Sequence, residues 1–90
     1  MVEHKLKCWP QYFDAIKRGD KPFEVRRDDR GFQKGDVLVL QKYDPVAGRY
    51  MRPLPGRPEE WELRLKITYI LTGGQFGIEP GYVVLGLETE

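Results

Sequence analysis

A lysine, a glutamate and an arginine fall within six residues, at Lys21, Glu24 and Arg26. Brought together in a hollow, the glutamate can orient both cations. The cations can then hold a phosphate, or a carbonyl oxygen that turns negative during reaction. A carboxylate beside a lysine can also take its proton, as a lysine base or nucleophile requires. On a strand, Glu24 and Arg26 share a face about 7 Å apart, at a rise of roughly 3.3 Å per residue. Lys21 has the other parity. It follows Gly19-Asp20, ahead of regular pairing, so its long stem can reach either side. The same residues also describe a solvated charge ladder, in which ion pairs contribute little. Composition leaves both readings open.

Arg26, Arg27 and Arg30 form a second cluster, partly neutralised by Asp28 and Asp29. The guanidinium fork suits phosphate and stacks on bases. Lys17 and Arg18 add charge just upstream. Trp9, Tyr43, Tyr50 and Phe76 lie next to loops, where they can offer ring faces to unpaired bases. Other chemistries are poorly supplied. His4 and Cys8, the single residues of their types, cannot close a zinc site. They share parity on a strand but stand too far apart for a nucleophile pair. The chain has no serine, and Thr72 before Gly73-Gly74 is the one hydroxyl candidate beside a loop. No dinucleotide fingerprint or phosphate loop is present, so neither a cofactor nor a metal is expected.

The elements that must position these residues read clearly in places. His4–Cys8 alternates polar and apolar, as a first strand does. Pro10 suits a first helical turn. Tyr12, Phe13 and Ile16 make an apolar stripe over Gln11–Arg18, and Gly19 supplies the stop. Pro22–Arg27 reads as a strand with Phe23 and Val25 on one face and Glu24 and Arg26 on the other. Asp36–Tyr43 is a strand covered on both sides, because Val37-Leu38-Val39-Leu40 is apolar throughout. The segment 44–60 is rich in Pro and Gly, with Arg49–Arg52 as a short edge strand. Trp61–Leu71 alternates, with Leu63, Leu65, Ile67, Tyr69 and Leu71 on the apolar face and Ile70 breaking the polar one. Thr72–Gly81 is a loop and Tyr82–Glu88 a closing strand. One helix and five or six strands in so short a chain predict a mainly β fold. A small closed or nearly closed barrel plugged by the helix is favoured over a two-layer sandwich.

Ninety residues make a single domain, residues 1–90, with a small core. The formal net charge of +1 is no global signal for nucleic acid, but its distribution is uneven. Residues 1–52 carry twelve basic and eight acidic side chains; residues 53–90 carry three and six. That asymmetry gives one face positive character unless folding mixes the halves. A lone cysteine fits a reducing cytoplasm, and no run of apolar residues approaches membrane-spanning length. The expected location is cytoplasmic, with no membrane partner.

The G-x-K-x-x-E-x-R pattern of Gly19, Lys21, Glu24 and Arg26 resembles the signature of the ASCH domain, a branch of the PUA-like superfamily, at every fixed position. Its surroundings are similar to a subfamily of small bacterial and phage ASCH-like proteins: His4-Lys5-Leu6-Lys7, Pro10-x-Tyr12-Phe13, Asp29-Arg30-x-Phe32 and Gly35-Asp36-x-Leu38-x-Leu40. With the Tyr82-Val83-Val84-Leu85 ending, the resemblance covers nearly the whole chain. It implies a PUA-like β-barrel with a helix beside a cleft and the motif residues facing that cleft. It also implies RNA, or a nucleoside, as partner, because the family is regarded mainly as RNA-binding. Lys21, Arg26, Arg27, Arg30 and Lys17 would meet phosphate, Glu24 would fix them, and Trp9 and Tyr43 would offer stacking faces. Some small members resemble enzymes, either ribonucleases or an amidohydrolase that deacetylates N4-acetylcytidine through a lysine, a threonine and a glutamate. Lys21 matches that lysine, but Glu24 stands where the threonine would, so the triad does not carry over. An enzyme reading would rest on Lys21 with Glu24.

Overall fold

A computed structural model describes residues 2–53 and 55–90. The fold is mainly β, with strands β1 (Glu3–Cys8), β2 (Phe23–Arg27), β3 (Val37–Asp44), β4 (Arg49–Tyr50), β5 (Glu62–Thr72) and β6 (Tyr82–Thr89). Helix α1 (Pro10–Lys17) follows β1, and a single 3-10 turn, Pro58–Glu60, precedes β5. The sheet order is β1-β3-β5-β6-β2, with β4 paired to β3. Only β1 and β3 run parallel; the other pairs are antiparallel.

Leu6, Cys8, Leu38, Leu40, Leu65, Ile67, Val83, Leu85 and Leu87 face one interior, and Phe13 and Ile16 of α1 cap it. Val37 to Leu40 are buried at four consecutive positions, as a doubly covered strand requires. The helix stops as the sequence predicts: Gly19 takes φ +86°. The N–H groups of Asp20 and Lys21 then both donate to the Ala15 carbonyl, at 2.9 and 3.1 Å.

One end of the fold is braced by a buried pair. His4 Nε2 lies 2.9 Å from Asp36 Oδ2. Asp36 also accepts from the backbone N–H groups of Val2 and Gln33, at 3.2 and 3.1 Å. The His4 hydrogen bond is the main reason that the Asp36 carboxyl is held below its usual range, with the two backbone donors adding to it against the cost of burial.

β1 and β2 are the two ends of the strand order. Laid flat, four strand spacings of ~4.8 Å would separate them by about 19 Å. Instead Arg26 of β2 donates to the Lys7 carbonyl of β1, and Arg30 Nη1 donates to the Lys5 carbonyl at 3.2 Å. The sheet therefore curls until its edges face each other. Guanidinium groups, not backbone pairing, bridge this seam. The expected barrel takes the form of a curled sheet bridged in this way.

β5 corrects a detail of the alternation. The register shifts between Ile67 and Tyr69, so Thr68 is the extra residue of a bulge. Beyond it the faces exchange: Tyr69 is exposed and Ile70 packs on the core. The interruption at Ile70 was the mark of that bulge.

Candidate functional site

β2 is inverted relative to ordinary amphipathic strands. Its apolar residues Phe23 and Val25 are 41% and 50% exposed, whereas Glu24 is 6% exposed. The register on β6 imposes this. Glu24 pairs with Leu85 and Arg26 with Val83, both core residues; Phe23 and Val25 pair with Gly86 and Val84 on the outside. Residues opposite each other in an antiparallel pair share a face, so the charged face of β2 must point inward.

Burying a carboxylate requires partners, and Glu24 has them. Oε1 accepts from Lys21 Nζ at 2.9 Å. Oε2 accepts from Arg26 Nε at 3.2 Å and from Nη2 at 3.1 Å. The Lys21 ammonium also lies 5.1 Å from the Tyr12 ring centroid and 5.2 Å from that of Phe23, within cation–π range. The group carries one net positive charge. Lysine has three N–H donors and arginine five, so each cation keeps donors that Glu24 does not use.

The seam opens into a cleft of about 420 Å³, a size suited to a small organic ligand. Lys7, Arg26 and Arg27 line it against the single carboxylate of Glu24, and Trp9, Tyr12 and Tyr82 supply its aromatic walls. Trp9 and Tyr12 stack at 6.0 Å with 20° between planes. The Arg27 guanidinium lies 5.6 Å from the Tyr82 ring centroid. Cations beside flat rings in a concave, low-dielectric wall favour a flat, anionic guest.

Cys8 also lines this cleft but offers no nucleophile. Burial, reinforced by the negative charge of Glu24, pushes its thiol up to about 12. Thr72, the hydroxyl singled out from sequence, sits beside the β5–β6 turn, where Gln75 Nε2 lies 3.4 Å from Oγ1, and does not line the cleft. Among the described residues no three His, Cys, Asp or Glu side chains gather as a metal site would require.

The structure brings Glu24, Arg26, Arg27 and Trp9 together in the lining of the cleft. Lys21 holds Glu24 at 2.9 Å but itself lines a different hollow, with Ile16, Gly19 and Pro22. The structure places three other expected residues elsewhere. Lys17 is exposed on the last turn of α1 and does not line the cleft, because the helical period turns it away. Arg30 spends its guanidinium on the Lys5 carbonyl and lies 3.8 Å from Asp29. Tyr43 stands outside the cleft, its ring holding the Lys7 ammonium at 4.5 Å. Lys7, Tyr12 and Tyr82 are cleft residues that sequence reasoning missed. Tyr12 could have been found, since it is the polar-tipped member of the helix stripe. Lys7 and Tyr82 reach the site only through the curl of the sheet and the β2–β6 register.

A local match joins this chain to an uncharacterised 12.9 kDa protein in the GpA 3' region of Escherichia phage P2, 38% identical over 40 residues. The match takes in 44% of this chain and 37% of the phage protein, so the chain spans little more than a third of that relative's length. From residue 3 to residue 87 the chain matches the family described as a domain of unknown function, DUF3850, and it is a member of that family.

Proposed function

We propose that this is an RNA-binding protein of the ASCH kind, and that the seam cleft takes one base and the adjoining phosphates of a single strand. The observation that carries the reading is the inward-facing Glu24 and Arg26 of β2, a strand whose apolar residues face solvent, with Lys21 just ahead of the strand held on Glu24. A fold seldom turns a strand's charges inward and its Phe and Val outward unless the charges are used. Trp9, Tyr12 and Tyr82 give stacking faces, and Lys7, Arg26 and Arg27 give phosphate donors. The resemblance of Gly19-x-Lys21-x-x-Glu24-x-Arg26 to the ASCH signature supports the same reading.

With about three phosphates engaged, affinity for single-stranded RNA falls about 20-fold between roughly 50 and 200 mM salt. Arg27→Ala, at an exposed position, weakens binding severalfold and flattens that slope without unfolding the chain. Lys21→Ala weakens it further. Unchanged affinity in both variants at low salt contradicts the assignment.

A second reading rests on the 2.9 Å contact between Lys21 and Glu24. It is hydrolysis, of N4-acylated cytidine or of RNA itself, with Lys21 as base or nucleophile. Both oxygens of Glu24 already hold cations, which leaves little room for it to accept a further proton. Turnover of an N4-acylated cytidine above a Lys21→Ala control would establish this reading, and its absence would remove the deacylase form. RNA cleavage above the same control decides the ribonuclease form.

A further inference from the structure

A second concavity, of about 580 Å³, holds none of the motif residues. Arg49, Tyr50 and Arg52 line it with Lys42 and Asp44 of β3 and Glu60 of the 3-10 turn, three cations against two carboxylates. Arg52 is held between two rings, its guanidinium carbon 4.8 Å from the Tyr50 centroid and 5.1 Å from that of Trp61. A guanidinium fixed this way presents its N–H edge with little entropy left to lose.

This hollow is connected to the seam cleft. Lys7 lines the cleft and rests on the Tyr43 ring at 4.5 Å. Tyr43 meets Tyr50 edge to face at 5.2 Å, across the β3–β4 pairing. Tyr50 then carries Arg52. Cation, ring, ring and cation follow one another from β1 across β3 to β4. Two strand spacings and two residues along β3 put Lys7 and Tyr50 on the order of 12 Å apart, a span of about two nucleotides. Adjacent rings flanked by cations are what a single strand can use, bases on the faces and phosphates on the charges.

We propose that the hollow beneath β4 is a second RNA subsite, reached along Lys7–Tyr43–Tyr50, so that the protein takes a run of several unpaired nucleotides and not one base alone. This rests on the RNA reading of the cleft. Its test is affinity measured against length at about 50 mM salt, with a three-nucleotide and a twelve-nucleotide unstructured RNA. The wild-type chain should bind the longer RNA at least about tenfold more tightly. Tyr50→Ala combined with Arg52→Ala should remove about that gain and leave the short RNA unaffected.

Equal wild-type affinity for the two lengths, or a twelve-nucleotide affinity unmoved in the double variant, overturns the second subsite and leaves the cleft reading standing. A loss of the same size on both lengths also overturns it, as damage to the fold. Failure of both RNAs to bind the wild type sinks the cleft reading and this one with it. Polyglutamate bound as tightly as the longer RNA, and lost equally in the variant, would mark an acidic-peptide surface and contradict the proposal.

Discussion

Glu24 is the residue on which the cleft depends. Each of its oxygens holds one cation, and the carboxylate is almost wholly removed from water. Glu24→Ala leaves Lys21 and Arg26 facing each other without a counter-charge. Because both cations retain some access to water, we expect a loss near the lower end for a broken buried pair, about 3 kcal/mol, read from urea denaturation. Cys8 yields a different expectation. Its thiol, pushed up to about 12, should react with an alkylating reagent at neutral pH only after unfolding. Rapid labelling of the native protein would contradict the buried geometry. Asp36 sets the acid limit. Its folded carboxyl titrates below the unfolded value of 3.8, so its contribution to stability is complete above that value and fades as pH falls through the folded one. Asp36→Asn should therefore cost stability at pH 7 and flatten the acid limb of a stability profile. An acid limb unchanged in that variant would remove Asp36 from the account.

At the scale of elements, the inversion of β2 makes a paired prediction. Val25→Lys, on the outer face, should change stability by no more than about 0.5 kcal/mol. Leu85→Ala, across from Glu24 on β6, should cost about 2–5 kcal/mol. The order would reverse if Val25 were core, as its residue type invites one to assume. Much of the element pattern was legible in the sequence. Pro10 and Gly19 bound the helix, and the Val37–Leu40 run marked a strand covered twice. What could not be read was register. A strand with Phe23 and Val25 on one face and Glu24 and Arg26 on the other has two orientations, and pairing with β6 chooses between them. The bulge at Thr68 had a trace in Ile70, but alternation alone does not say which residue is extra.

At the scale of the whole molecule, the two sheet edges meet where the ligand is proposed to bind. An unpaired strand edge exposes carbonyl groups that recruit other chains. Here Arg26 covers the carbonyl of Lys7 and Arg30 that of Lys5, and Arg26 also charges the cleft. Lys21, Glu24 and Arg26 could be chosen from sequence because they are near neighbours in the chain. Lys7 and Tyr82 could not, because Lys7 reaches the cleft only through the curl of the sheet and Tyr82 only through the β2–β6 register. Among the described residues no helix is long and apolar enough to cross a membrane.

The most direct measurement is a titration of the isotope-labelled protein with a short unstructured RNA at low salt, followed by amide chemical shifts. The account predicts perturbation centred on the amides of residues 7–9, 11–12, 21, 23–27 and 82, reduced by added salt and by Arg27→Ala. Shifts confined to other surfaces, or none at millimolar RNA, would contradict the claim that the seam between β1 and β2 is where this protein holds its ligand.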